Sequence, residues 1–192
     1  MKLLSTKLST HLLEPAVIPD VRGWFQVAFS IEDLHKLNIP FNSVYQLNHS
    51  YTEHKGVVRG PNYQMRPYNQ AKVIRVVKGA IYSVGIDIDP ESENYGHSVG
   101  FYLSAENKYL MYVPNTYAHG FTSLEDDTEI EYFTDNVYCY EAAKSFRFDD
   151  KALIDESGAQ GIDWTMEGKV NLNLSIRSDK NSNAPDFKYC EF

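Results

Sequence analysis

Three short stretches hold the residues best suited to chemistry. The first runs Gly56-Val57-Val58-Arg59-Gly60-Pro61-Asn62-Tyr63-Gln64 and resumes as Gln70-Ala71-Lys72-Val73. A guanidinium such as that of Arg59 can grip two phosphate oxygens at once; its plainer reading is a surface ion pair. Lys72 sits on a strand beside the apolar Val73, Ile74, Val76 and Val77. Turned inward, its ammonium must find a negative partner such as an enolate or a phosphate; turned outward, it is an ordinary solvated lysine. Gln64 and Gln70 either orient polar groups inside the fold or satisfy strand ends. The second stretch, Pro114-Asn115-Thr116-Tyr117-Ala118-His119-Gly120-Phe121, offers His119 in what reads as a turn. The third, Glu129-Ile130-Glu131-Tyr132-Phe133-Thr134, alternates as a strand and carries Tyr132, where a tyrosine is usually packing. A metal-dependent barrel would need about three clustered histidines and a carboxylate, usually starting from His-x-His. Here that strand reads Asn62-Tyr63-Gln64, so no metal is expected.

Few helices are available to position these residues. Ser30-Ile31-Glu32-Asp33 opens one short helix with a capping serine, and Asn38-Ile39-Pro40 closes it. Strands are expected over 41–49, 56–59, 72–77, 80–88, 99–103 and 109–113, from their β-branched and aromatic content. Turn signals at Lys78-Gly79, Asp89-Pro90, Tyr95-Gly96 and Ala105-Glu106-Asn107 separate them. A strand every 8 to 12 residues or so predicts a mainly β fold, with a jelly-roll barrel leading. The segment 148–168 carries mixed signals and reads as turns or short helical pieces outside the barrel. No repeat or linker divides the chain, so residues 1–192 are expected to form a single domain.

Composition narrows the partners. The formal charge of −8 argues against a nucleic-acid surface, although a few converging arginines suffice for a small anion. Cys139 and Cys190 match no zinc or redox spacing and read as idle thiols. The N-terminus lacks the apolar core of a signal peptide, and no stretch of about 18 apolar residues is present. A cytoplasmic protein with no membrane partner is expected.

Taken together, the motif strands resemble the dTDP-4-dehydrorhamnose 3,5-epimerase family. That family combines an Arg-Gly-x-His-aromatic-Gln strand, a Gln-x-Lys strand and an Ala-His-Gly-Phe segment. Further pieces fall in the same order: Asp20-Val21-Arg22-Gly23-Trp24-Phe25, Gln46-Leu47-Asn48-His49-Ser50, Tyr132, Trp164 and Leu174-Ser175. The resemblance implies a cupin-like jelly roll with short peripheral helices, acting on a nucleotide-linked 4-keto sugar at C3, C5 or both, without a cofactor. The ketone acidifies those carbons, so the chemistry needs a base on one face, a stabiliser for the C4 oxygen and an acid on the other face. By resemblance, Lys72 stabilises the oxyanion, Tyr132 returns the proton and His119 belongs to the same pocket. Arg59, Gln64, Arg22, Phe25, Gln46, Asn48 and Ser50 would bind the nucleotide sugar, partly across the interface of a homodimer.

Three departures stand out. Asn62 occupies the base position, and an amide cannot accept a proton near neutral pH. Val27 stands where many family members carry a glutamate that recognises thymine. Asp179 supplies the carboxylate that orients the base histidine only if one residue is inserted before it. Three readings follow from Asn62: an engineered inactivating change, a natural enzyme whose base is another residue, or a non-catalytic sugar-nucleotide binder.

Overall fold

Alternating β-branched and aromatic residues between tight turns yield thirteen strands in the computed structural model, which describes residues 1–192. Strands β1 (Lys2–Lys7) and β2 (Thr10–Glu14) lead into a hairpin of β3 (Val17–Asp20) and β4 (Gly23–Gln26), then helix α1 (Ile31–Lys36). The next five strands are β5 (Gln46–Thr52), β6 (Val58–Gln64), β7 (Lys72–Lys78), β8 (Ala80–Asp87) and β9 (Ser98–Ser104). Then come β10 (Leu110–Val113), β11 (Tyr117–Ser123), β12 (Thr128–Thr134), β13 (Ala143–Ser145) and the one-turn helix α2 (Asp179–Ser182).

One sheet orders β1-β2-β10-β7-β12-β5 and the other β13-β6-β11-β8-β9, all pairs antiparallel. They face one another as a cupin-like jelly roll. Ile74, Val76, Met111 and Ile130 of the first sheet pack between them on Ile81, Phe101, Leu103 and Phe121 of the second. Each outer face is also covered. Leu34 of α1, with Ile39 and Phe41, seals the first sheet over Leu13, Val73, Leu110 and Tyr112. Phe146, Phe148, Leu153, Trp164 and Phe187 seal the second over Val84, Ile86 and Ala118. Both outer layers leave one end of the barrel free to hold polar groups.

Ser30 caps α1 as its sequence requires, its hydroxyl accepting from the Asp33 N–H at 3.2 Å. The strand expected over 41–49 begins only at Gln46, because Phe41 is buried against α1 rather than laddered. Residues 148–168 form turns outside the barrel with no helix. Both cysteines are free thiols. The Ala118-His119-Gly120-Phe121 segment is strand β11, not a turn. Gly120 suits that strand because a Cβ there would lie 2.9 Å from the Trp164 ring and 3.0 Å from the Arg59 carbonyl oxygen. Trp164 in turn covers the strand from outside.

Candidate active site

A kink in β6 sets the site. In a regular strand, Arg59 and Asn62 are three residues apart and face opposite ways. The register against β11 slips between the pairs Phe121↔Arg59 and His119↔Asn62, so three residues of β6 span two of β11. This bulge turns Arg59 and Asn62 to the same side. Gly60 makes it possible at a φ of +94°, since a Cβ there would sit 2.7 Å from the His119 carbonyl oxygen.

Opposite stands the first sheet. Tyr132 pairs with Asn48, Ile130 with Ser50, and Thr134 with both Gln46 and Lys72. The two-residue period therefore points Gln46, Asn48, Ser50, Ile130, Tyr132 and Lys72 to one face. The walls enclose a cavity of about 450 Å³, lined on the second sheet by Arg59, Asn62, Gln64, His119 and Phe121. Tyr138, Ala143 and Lys180 complete its rim. Three cations line the cavity and no carboxylate does, on a chain whose net charge is −8. The cavity is thus an anion site on an acidic protein.

Lys72 is buried, and its Nζ has one long hydrogen bond, 3.5 Å to the backbone carbonyl of Asn62. Burial, reinforced by the nearby Lys180 ammonium, pushes its pKa down to about 8. His119 is buried beside it, with Nε2 sharing a 2.9 Å hydrogen bond with the Ser83 hydroxyl. Burial first, and Lys72 second, push the imidazole down to about 3, so it stays neutral at working pH. Burial raises the Tyr132 phenol, opposed in part by the Arg59 charge; the phenol keeps its proton at neutral pH. Arg59 is oriented by donating from Nη2 to the Tyr51 carbonyl at 2.9 Å. The Gln46 side-chain oxygen is buried with no partner, leaving an acceptor open to a ligand donor.

The two glutamines position a loop. Gln64 Nε2 donates to the carbonyls of Tyr68 (2.5 Å) and Val137 (3.0 Å), while its oxygen accepts from the Cys139 N–H at 2.7 Å. Gln70 Nε2 donates to Asn136 at 2.8 Å. Gln64, expected to bind substrate, lines the cavity and also holds the loop carrying Tyr138 to its rim. Three expected site residues lie elsewhere. Arg22 sits at the turn of the β3–β4 hairpin, paired with Asp20 at 2.6 Å, and Phe25 is exposed on β4; neither lines the cavity of its own chain. Asp179 is exposed at the start of α2 and does not line it either, whereas the next residue, Lys180, does. Tyr138 comes from an irregular loop and Lys180 from a one-turn helix, and neither carries a periodic pattern that points to the cavity. The aromatic-rich run from Tyr138 to Tyr140 was the only sequence signal for Tyr138. No three His, Cys, Asp or Glu side chains converge anywhere, and no helix is long and apolar enough to cross a membrane.

A jelly-roll barrel with a buried amine and a half-buried phenol on one wall of a cationic cavity is the architecture of a cupin-like isomerase. The family model described as dTDP-4-dehydrorhamnose 3,5-epimerase matches residues 6–189, and the chain belongs to that family of carbohydrate epimerases. The enzyme of that name from Shigella flexneri is 34% identical over 97% of this chain and 99% of its own length. The Bacillus anthracis enzyme, solved with TDP and pyrophosphate bound, superposes with a TM-score of 0.86 at 32% identity, covering 96% of this chain and 98% of that one. The Legionella pneumophila dTDP-6-deoxy-D-glucose-3,5-epimerase, solved with dTDP-4-keto-L-rhamnose, gives 0.85 at 28% identity, covering 99% and 94%. Membership favours the enzyme reading over a binding protein.

Proposed function

We propose that the chain epimerises a dTDP-linked 4-keto-6-deoxy sugar at C3, C5 or both, by proton transfer alone. The observation that carries this reading is the buried Lys72 ammonium, which has one long hydrogen bond and no carboxylate partner, close to the Tyr132 phenol. An enolate oxygen at C4 supplies the missing negative partner. Tyr132, still protonated, delivers a proton to the carbon from the first-sheet wall. Arg59 holds the diphosphate, and Asn48, Ser50 and the open Gln46 oxygen contact sugar or nucleotide. His119, neutral and tied to Ser83, shapes the wall beneath Asn62.

The nucleotide site is completed in a homodimer. The β3–β4 hairpin exposes Val17, Ile18, Trp24 and Phe25, and the edge strand β5 exposes Leu47 and Tyr51. Two copies that lay hairpin against β5 cover both surfaces and bring Arg22 and Phe25 to the partner's cavity. The cytoplasm, where nucleotide-activated sugars are made, is the compartment this reading implies. The test is incubation of the protein with dTDP-4-keto-L-rhamnose in D₂O containing EDTA. Deuterium at C3 or C5 supports the assignment; tight binding with no exchange at either carbon overturns it.

A further inference from the structure

Asn62 leaves the second-sheet wall without the histidine that Tyr132 on the first would answer. The lining contains no carboxylate that could take over. His119 is unsuited, because an imidazole held near pKa 3 and bonded to Ser83 has little proton affinity left. Lys72 is engaged with the C4 oxygen in the reading above, and Tyr132 stands on the opposite wall. One basic group remains near Asn62. Lys180 lines the cavity and also lines the outer groove formed by Tyr63, Ala143, Lys144 and Ser145. Those residues belong to β6 and β13, where Ser145 pairs with Asn62 and Ala143 with Gln64. Lys180 therefore reaches the cavity from the side on which Asn62 stands.

Its backbone is anchored there. The Ser178 hydroxyl caps α2 by accepting from the Asn181 N–H, and the Asn183 amide donates to the Asp179 carbonyl at 3.0 Å. The Arg147 N–H donates to the Pro185 carbonyl at 2.9 Å, tying the segment to the barrel. Arg177 lies 4.6 Å from the centre of the Phe148 ring and donates to the Asn181 carbonyl at 2.5 Å.

We propose that Lys180 is the general base of this epimerase, replacing the histidine that Asn62 displaces. The proposal rests on the epimerase reading given above. The neutral Lys180 amine takes the proton from the carbon α to the ketone. The C–H electron pair becomes the enolate, whose oxygen Lys72 holds. Tyr132 gives its proton to the same carbon from the opposite face, and the Lys180 ammonium and Tyr132 phenolate then reset through solvent. Lys180 is exposed at the rim, but desolvation of its amine and the Lys144 charge lower its pKa, and the Lys72 charge close by also favours a neutral amine. The backbone of Asn62 remains useful, since its carbonyl faces Lys72.

The test compares the wild-type chain with Lys180→Met and Lys180→Arg in D₂O, with dTDP-4-keto-L-rhamnose as probe and dTDP affinity measured in parallel. The expected result is loss of deuterium exchange by about 10²-fold or more in both variants, with dTDP affinity within about threefold of wild type. Exchange in the wild type should rise with pH as the amine deprotonates. If Lys180→Met exchanges as fast as wild type, the base is elsewhere and this assignment fails while the epimerase reading stands. If Lys180→Met loses dTDP affinity tenfold or more yet exchanges normally when saturated, Lys180 is an anion contact and the assignment also fails. If the wild type binds the probe and exchanges nothing, both readings fall together.

Discussion

Lys72 Nζ lies 3.5 Å from the backbone carbonyl of Asn62, and this is the only hydrogen bond the buried ammonium makes. A cation so placed destabilises the empty protein and is relieved by an anionic ligand. The folded pKa of about 8 lies below the ordinary lysine value of 10.5. Below pH 8 both folded and unfolded chains carry the charge, so the penalty is fully present. Between about 8 and 10.5 the folded chain is deprotonated first, and this group makes stability rise with pH.

Lys72→Met should therefore raise unfolding stability at pH 7 by on the order of 1–3 kcal/mol while abolishing exchange. It should also flatten the rise in stability between pH 8 and 10.5 relative to wild type. Urea unfolding at pH 7, 8.5 and 10 reads both effects. A less stable Lys72→Met protein at pH 7 would show that the ammonium is paired in solution.

Gln64→Ala should act through the loop it holds. The change leaves the Cys139 N–H and the Tyr68 and Val137 carbonyls without their partner, at a cost of roughly 1–3 kcal/mol. Amide hydrogen exchange should speed up across residues 136–140 while β6 and β7 stay protected, and turnover should fall as Tyr138 loses its position. Gln64→Glu keeps the acceptor for Cys139 and should recover part of the protection. Unchanged exchange in the loop would remove Gln64 as its anchor and return it to the ligand.

Strands β7 to β10 were legible because Val, Ile and Tyr alternate between Gly, Asn and Asp turns, and Tyr132 was placed on its strand for the same reason, whereas the strand expected over 56–59 overlaps only the first two residues of β6. The β3–β4 hairpin was not legible: every residue of β3 is exposed, so no buried face imprints a period-two pattern. Strand β11 read as a turn because Gly120 weakens a strand signal, yet its glycine is required by the ring of Trp164, 44 residues away. The faces of Arg59 and Asn62 depend on a bulge, and Lys180 reaches the cavity from a one-turn helix docked on the barrel. Long-range packing fixes both, and spacing alone does not encode it.

The hairpin supplies a third prediction. Trp24 and Phe25 are 57% and 62% exposed, too much apolar surface for an unpartnered arm. The double change Trp24→Ser and Phe25→Ser should shift the chain from dimer to monomer in sedimentation velocity at about 10 μM and weaken dTDP binding. The monomer should keep its fold, because neither residue belongs to a core cluster. A wild-type chain that sediments as a monomer at that concentration sinks the dimer and, with it, the role of Arg22 in the partner's site.

Asn62→His tests whether the wall can take back its base. Asn62 is directly paired with His119 across the bulge, so an imidazole there projects into the same cavity. In the Lys180→Met background, adding Asn62→His should restore deuterium exchange by on the order of 10-fold or more, with a full general base contributing about 10²–10⁴-fold. The gain should stay below that ceiling because Asp179 lies outside the cavity, leaving no carboxylate to fix the ring's tautomer. The pH profile should also move. A lysine base gains activity up to high pH even with its pKa depressed, whereas an imidazole starts from about 6.5 and is lowered further by the Lys72 charge. The rise in exchange should therefore occur at lower pH in the double variant than in the wild type. Adding Tyr132→Phe should suppress inversion more than exchange, since exchange on one face needs no acid on the other. A double variant that binds dTDP-4-keto-L-rhamnose tightly, yet shows neither recovered exchange nor a shifted profile, would mean that position 62 does not face the acidic carbon.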